Sequence, residues 1–366
     1  MANFSVPKGR MFRNGSSDTA ETQVAGESSV DRVASDPAGG VALERRLTVG
    51  RGAIGDIAAG ATAVVMANAG DDSVSIVDNT TLTVVATVAV GGQPTAVTVS
   101  DDRAYVSVAA ENVDAVTVID LDTRAVITTY PVAVGVSALA VGPAGKRVYA
   151  GRATHDRVDI TVIDVTAERV GTIGIGSGPA ANVDALSADP SGKRLYAAIT
   201  DAVGSRLVIV DTETAQVQRV VPVGSPIRDI AYAGGAVYVL TSDRADGGAV
   251  LVVDLTTMRV TDRVTVGGAP TQLTMSADQT RAYIVDYDRV AVLCTLSLDI
   301  VDSLTVDARP SCVTQGADSA RLYLADYAGT VTVFSVESSI EALYSEFIAT
   351  DPIAMGVPRR LQPTPA

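Results

Sequence analysis

Few side chains in this chain belong to the types that carry catalysis. Histidine occurs once, at His155 beside Asp156, and an imidazole next to a carboxylate could act as a general base. A lone loop histidine is more often simply solvated. The two cysteines, Cys294 and Cys312, lie outside any C-x-x-C pattern. One histidine and two separated cysteines do not form a zinc or copper site of the usual kind, so the sequence predicts no catalytic residue, no metal and no cofactor.

Carboxylates are the other candidate functional groups, and they concentrate in loops between the second and third strands of the repeat described below. Nine of them are predicted to bind a partner: Asp71, Asp72, Glu111, Asp114, Asp243, Asp246, Asp286, Asp288 and Asp326. An acidic surface favours a basic protein or a cationic ligand. A hard cation such as calcium also prefers oxygen ligands, and Asp286 and Asp326 could hold one, but the spacing fits no known metal-binding loop.

The elements that position these loops come from a phrase that recurs seven times. A Val-Gly step or a close variant returns every 40 to 48 residues, often followed by proline. Its copies begin at Val49, Val90, Val134, Ile175, Val223, Val266 and Val306. Between copies lie an apolar run, a turn, an Arg-x-Tyr segment in five copies, a loop, an apolar run that ends in Asp in all but the last two copies, and a final run. Each copy therefore predicts four short strands, named A to D in chain order.

The third strands, such as residues 116–119 and 207–210, are apolar on both faces and must be covered on both. A ring of sheets packed face to face achieves this, so the predicted fold class is an all-β, seven-bladed β-propeller. The last copy, residues 309–336, stops after strand C. Residues 41–49 match a D strand in pattern and end in the same Val-Gly step, so they are predicted to complete the last blade and remove its exposed edge.

The predicted boundaries are a disordered N-terminal tail over residues 1–40, the propeller over 41–336, and a C-terminal segment over 337–366. In that last segment a capping-box pattern precedes apolar residues at helical spacing, among them Leu343, Tyr344 and Phe347. The pattern predicts a short amphipathic helix. It either packs on the propeller's own surface or docks a partner or second subunit, and these three residues are predicted partner contacts in the second case.

The chain resembles the YVTN-repeat family of seven-bladed propellers, which is similar to surface-layer propellers and more distantly to lactonase-like ones. The resemblance spans about residues 41–336 and rests on Tyr-Val at 105, Tyr-Ile at 283, Tyr-Leu at 323 and the segments 65–78 and 88–97. It implies the fold and says little about activity. The Asn of the motif survives only at Asn68.

Charge narrows the choice of partners. The formal net charge of −14 disfavours nucleic acid and anionic membranes, because both need Lys and Arg to neutralise phosphates. No apolar run is long enough for a membrane span and no leader pattern precedes the repeats, so a soluble, cytosolic protein is expected, with leaderless export left open. Three functions are considered: a non-enzymatic interaction scaffold, which is favoured; a lactonase-like metal-dependent hydrolase; and a small-ligand sensor that uses the axial pocket.

Overall fold

The computed structural model describes residues 41–306 and 308–336, which form seven antiparallel sheets of four strands each. The predicted N-terminal tail and the predicted C-terminal helix, with Leu343, Tyr344 and Phe347, lie outside these residues. Within the described part of the chain, no helix has the length and apolar character needed to cross a membrane. The seven-bladed, all-β prediction is confirmed.

Blades are numbered in chain order, and each runs from strand A at the axis to strand D at the rim. The A strands are β2 (Ile54–Ala59), β6 (Gln93–Ser100), β10 (Val136–Val141), β14 (Asn182–Ala188), β18 (Ile227–Ala233), β22 (Pro270–Met275) and β26 (Pro310–Gln315). The B strands are β3 (Ala63–Asn68), β7 (Arg103–Ala109), β11 (Arg147–Ala153), β15 (Arg194–Thr200), β19 (Ala236–Asp243), β23 (Arg281–Asp286) and β27 (Arg321–Asp326).

The C strands are β4 (Ser73–Asp78), β8 (Asp114–Asp120), β12 (Arg157–Asp164), β16 (Ser205–Asp211), β20 (Gly247–Asp254), β24 (Arg289–Cys294) and β28 (Thr330–Val336). The D strands are β5 (Thr83–Ala89), β9 (Ala125–Val132), β13 (Arg169–Ser177), β17 (Gln216–Gly224), β21 (Arg259–Thr265), β25 (Ile300–Thr305) and, for blade 7, β1 (Val41–Thr48). A one-turn 3-10 segment, Pro143–Gly145, joins β10 to β11.

Burial follows the position of a strand within its blade. The B and C strands are buried on both faces, as in β3, because each blade is covered by its two neighbours. The D strands at the rim are largely exposed. One tyrosine of the Arg-x-Tyr segments joins adjacent blades by a hydrogen bond: the Tyr105 hydroxyl of blade 2 donates to the Gly145 carbonyl of blade 3 at 3.1 Å. Buried Val, Ile and Ala thus form a continuous apolar layer between blades.

The closing strand β1 pairs antiparallel with β28, with Val41 opposite Val336 and Thr48 opposite Thr330. Leu47 packs into a core cluster that contains residues of blades 7 and 1. Arg321 adds a two-pronged ion pair to Glu44, at 2.7 and 2.8 Å, and donates to the Asn79 carbonyl of blade 1 at 2.7 Å. This pairing lowers the pKa of Glu44. The predicted closure of the ring by residues 41–49 is confirmed.

The ring has two faces. One, here called the turn face, carries the A–B and C–D turns. There the aspartate that ends the C strand accepts backbone N–H groups two and three residues further on, as Asp78 does from Thr80 and Thr81 at 3.0 and 2.7 Å. Asp254 repeats this with Thr256 and Thr257 at 3.2 and 2.6 Å. These side chains explain why Asp recurs at the end of the repeat: it fixes the turn into strand D.

Candidate interaction site

The second face, here called the loop face, carries the B–C turns and the links from strand D to the next strand A. The two kinds of segment are joined by backbone hydrogen bonds, such as Val49 N–H to the Gly329 carbonyl at 2.9 Å and Val266 N–H to the Gly248 carbonyl at 2.9 Å. All nine predicted partner-binding carboxylates lie on this face. They lie on one side of the ring, but they differ in how far their side chains are buried.

Three of the nine carboxylates are buried and hold the backbone of the loop face in place. Asp114 accepts the N–H groups of Gly135 and Val136 at 2.8 and 3.0 Å. Asp286, only 3% exposed, accepts the Ala269 N–H at 2.8 Å. These carboxylates bind backbone amides of the links from strand D to the next strand A, so they support the connection between blades.

The third buried carboxylate, Asp326, accepts the N–H groups of Ala328 and Thr330 at 2.8 Å each and so fixes the B–C turn of blade 7. Two further carboxylates have a similar but less buried role. Asp71 accepts the Arg51 N–H at 2.6 Å, and Asp243 accepts the Ala245 N–H at 2.7 Å. The contacts of Asp286 and Asp326 weigh against the alternative in which these two residues hold calcium, because both carboxylates already accept hydrogen bonds from backbone amides.

The remaining four carboxylates, Asp72, Glu111, Asp246 and Asp288, are exposed. Asp246 lies 4.0 Å from Arg263, a contact between two solvated side chains that is worth little. The carboxylates of the other three make no hydrogen bond or ion pair with any residue that the structure describes. They spread over blades 1, 2, 5 and 6 and give the loop face solvated negative charge.

A cluster that the sequence did not predict lies between blades 6 and 7. The guanidinium carbon of Arg309 sits 4.8 Å from the ring centre of Tyr287 and 5.0 Å from that of Tyr327. All three side chains are exposed, with Tyr287 at 61% and Tyr327 at 45%. Both distances are within the range of cation–π attraction. We call this cluster the Tyr-Arg-Tyr stack.

Local structure explains why the stack points outward. Tyr287 and Tyr327 each follow the last residue of a B strand, and only two or three residues separate that strand from strand C. The preceding aspartates, Asp286 and Asp326, are anchored inward, so the next side chain faces solvent. The equivalent position in blade 1 is Ala69. A signal was therefore present in the sequence, as an Asp-Tyr dipeptide at the same place in two successive repeats.

A cavity of about 220 Å³ adjoins the stack. It is lined by Ala308 and Pro310, which flank Arg309, and by Ala328, which follows Tyr327. Its walls also include Leu324 of β27. The surface beside the stack is therefore concave and partly apolar, in contrast to the solvated carboxylates elsewhere on the face.

The axis of the ring forms the second candidate region. Asp56 of blade 1 and Asp229 of blade 5 each accept an N–H from the next blade, Val97 and Leu273, at 2.9 Å. Burial raises the pKa of Asp56 to about 6 and that of Asp229 to about 7, and the negative charge of Asp56 adds to the second shift.

Gln272 of blade 6 connects these groups. Its amide oxygen accepts the Val313 N–H of blade 7 at 2.6 Å, and its amide nitrogen lies 3.4 Å from Asp56. The corresponding positions of blades 2, 3 and 4 are Ala96, Ala138 and Ala185. The polar side chains at the axis thus bind blades 5, 6, 7, 1 and 2 to one another.

Other candidate groups have simpler surroundings. His155 is exposed in the B–C turn of blade 3. Cys294 and Cys312 are free thiols on strands C and A of adjacent blades. Among residues 41–306 and 308–336, no group of three or more His, Cys, Asp or Glu side chains is placed to hold a metal ion.

Comparison with known proteins places this β-propeller in a family. The chain is 49% identical over 307 residues to a seven-bladed beta-propeller protein of Mycolicibacterium smegmatis, covering 83% of each. It is 31% identical over 293 residues to the seven-bladed beta-propeller protein Rv1057 of Mycobacterium tuberculosis, covering 69% of this chain and 75% of that protein. The chain therefore belongs to the seven-bladed β-propeller protein family. No protein-family model matches it.

Among solved structures, the fold is similar to a chain of Kuenenia stuttgartiensis hydrazine synthase, with a TM-score of 0.69 over 79% of this chain and 97% of that one. The sequence identity is 21%, so the likeness concerns the fold alone.

Proposed function

We propose that this propeller is a non-enzymatic binding module that recognises a protein partner on its loop face. The Tyr-Arg-Tyr stack is the observation that carries the proposal. Tyrosine and arginine are enriched at the energetic centres of protein interfaces, and here two exposed tyrosines hold an exposed arginine. The solvated carboxylates on the same face supply the polar surroundings that such centres have.

The proposal separates side chains that serve the fold from side chains that are available to a partner. Asp114, Asp286 and Asp326 bind backbone amides, so the acidic contribution to binding comes from the exposed carboxylates Asp72, Glu111, Asp246 and Asp288. A basic partner surface complements them. Removal of the exposed groups should weaken association without weakening the fold.

Photo-crosslinking from the two faces of one blade tests this proposal. A photoreactive amino acid at Asp288 lies beside the stack, whereas one at Leu296, 84% exposed in the C–D turn of the same blade, lies on the turn face. In extract of cells that make the protein, we expect a discrete adduct from position 288 only. Excess unlabelled protein should compete for it. The double substitution Tyr287→Ala, Tyr327→Ala should abolish the adduct when it is placed in the photoreactive protein. The same double variant, added unlabelled in excess, should fail to compete with the photoreactive wild type.

Equal adducts from the two positions, or an adduct that persists in the double variant, would contradict recognition by the stack. The double variant must first melt within about 2 °C of the wild type, as expected for exposed side chains. If the purified protein instead bound a divalent metal and hydrolysed lactones, the hydrolase alternative would replace the proposal.

Two finer expectations accompany it. The repeated Val-Gly and Arg-x-Tyr phrase supports membership of the YVTN-repeat group. A cytosolic location is the second expectation, and fractionation of cells with an antibody to the protein tests it. The predicted contacts through Leu343, Tyr344 and Phe347 stay a separate prediction, tested by repeating the crosslinking without residues 337–366.

A further inference from the structure

The inference concerns the chemistry that Arg309 presents to a partner, and it rests on the proposed function. The guanidinium carbon lies over both tyrosine rings, 4.8 Å from the ring centre of Tyr287 and 5.0 Å from that of Tyr327. Aromatic rings attract the cation without accepting the N–H hydrogen bonds that a carboxylate would take. The two contacts thus restrict the position of the guanidinium and leave N–H donors for a partner.

Arg309 differs from three other arginines of the loop face in having no carboxylate partner among the described residues, and it differs from the unpaired Arg51, Arg157 and Arg244 in lying over two aromatic rings. Arg152, Arg206 and Arg289 each form an ion pair within their own blade, with Asp159, Asp201 and Asp286. Arg309 makes no hydrogen bond or ion pair with any described residue, although the chain carries a net charge of −14. Among the described residues, the contacts of its guanidinium are thus the two aromatic rings.

We propose that Arg309 binds a carboxylate of the protein partner through two parallel N–H bonds. A planar carboxylate matches the guanidinium edge in shape and accepts both bonds at once. The tyrosines reduce the cost of association, because the arginine is already ordered before the partner arrives. The cavity beside Arg309, lined by Ala308 and Pro310, takes an apolar group next to that carboxylate.

The surroundings favour a carboxylate over a phosphate. Asp288 directly follows Tyr287, and Asp72 lies on blade 1, which adjoins blade 7. These exposed carboxylates repel a dianion more strongly than a single negative charge. They also attract positive charge, so the matching partner segment carries one acidic residue flanked by lysine or arginine. A uniformly acidic surface would repel the acidic residue of such a segment. Arg309 provides a positive charge within the acidic loop face and can bind that residue.

A peptide series with a matched protein series tests the proposal. The probes are fluorescent 12-residue peptides that carry one central Glu, Gln or phosphoserine between basic residues, and binding is read by anisotropy at low salt. We expect the Glu peptides to bind and both Arg309→Gln and the Glu-to-Gln peptide change to cost about 10-fold in Kd. The two changes together should cost no more than either alone, since they remove the same contact.

Arg309→Lys should fail to restore the affinity, because an ammonium lacks the planar fork. Arg259→Gln, which alters an exposed arginine at the turn-face end of β21, is the matched control and should leave the Kd unchanged. Tighter binding of the phosphoserine peptide would overturn the choice of carboxylate. Failure of all peptides to bind, or an unchanged Kd in Arg309→Gln, would overturn the role of Arg309.

The crosslinking experiment stays independent of this result. A position-288 adduct that survives Arg309→Gln but not the double tyrosine substitution would uphold the binding module and reject the carboxylate contact. Loss of the adduct in Arg309→Gln, with an unchanged melting temperature, would support both.

Discussion

The two faces of the ring use the same repeat in different ways. On the turn face, Asp78 and Asp254 fix C–D turns of blades 1 and 5 with the same hydrogen bonds to the backbone. On the loop face, equivalent positions at the end of strand B hold Asn68, Arg152 and Asp286, each with different partners. Asp ends strand C in blades 1 to 5, with Cys294 and Ser335 at that position in blades 6 and 7, so a position that recurs in most blades serves the turn that those blades share. Residues that differ from the repeat make contacts that the other blades lack. The Tyr-Arg-Tyr stack between blades 6 and 7 is formed by such residues.

The largest expected effect concerns β1, the strand that closes the ring and so supports both faces. Leu47 is buried between blades 7 and 1, whereas Leu43 of the same strand is 39% exposed. We expect Leu47→Asp to destabilise the protein by about 4 kcal/mol or more, because it places an unpaired charge in the core that closes the ring. Leu43→Asp should cost well under about 1 kcal/mol. Urea unfolding monitored by circular dichroism measures both, and similar midpoints would refute the closing role of β1.

The next largest effect is the difference in stability cost between removing a buried and an exposed carboxylate of the loop face. Asp114→Ala leaves the Gly135 and Val136 N–H groups without their acceptor, so we expect a loss of about 3 kcal/mol in the free energy of unfolding. Glu111→Ala, in the same B–C turn but exposed, should change it by less than about 0.5 kcal/mol. The same urea titrations decide the matter. If Glu111→Ala proved as costly, the division between fold-serving and partner-facing carboxylates would fail.

The axis between the faces makes a pH-dependent contribution. Burial raises the pKa of Asp229 to about 7, above its unfolded value near 4, so the folded state holds a proton that the unfolded state releases. This contribution is present at low pH and is lost as pH rises from about 4 to 7. Asp229→Asn should therefore flatten the fall in stability between pH 5 and 8 by about 2 kcal/mol. Asp56, whose pKa burial raises to about 6, keeps a smaller part of the slope in Asp229→Asn. The exposed substitution Asp288→Asn is the control, and a slope in Asp229→Asn equal to that of the wild type would reject this origin.

The smallest expected effect tests the uniformity of the turn face. Hydrogen bonds with turn amides lower the pKa of both Asp78 and Asp254. Substitution of either by Ala should lower the melting temperature by a similar amount, about 2 °C at pH 7. Because the pKa is depressed, the contribution is present above about pH 4 and is lost as pH falls further. Scanning calorimetry at pH 7 and pH 3 should give equal shifts for the two substitutions at pH 7 and smaller shifts at pH 3. Clearly unequal shifts would show that blades differ on this face too.

The fold could be predicted from the sequence because seven copies repeat the same strand and turn signals. Even the closing strand was recoverable, since residues 41–49 carry the missing fourth pattern. The site was not recoverable in the same way. Tyr287, Arg309 and Tyr327 come from two B–C turns and the link between them, and only the geometry of neighbouring blades brings them together. Nor does the sequence distinguish Asp286, whose carboxylate is buried on a backbone amide, from Asp288 two residues later, which is solvated.

The pairing of Val41 with Val336 has a mechanical consequence. The first and last strands of the ring are antiparallel neighbours, so a force that separates these two residues acts on one backbone contact at a time. The blade would open like a zipper and not shear along its whole length. Blade 7 is thus the point at which a ring pulled at Val41 and Val336 gives way, and both residues lie at the turn-face end of their strands, opposite the loop face that carries Arg309.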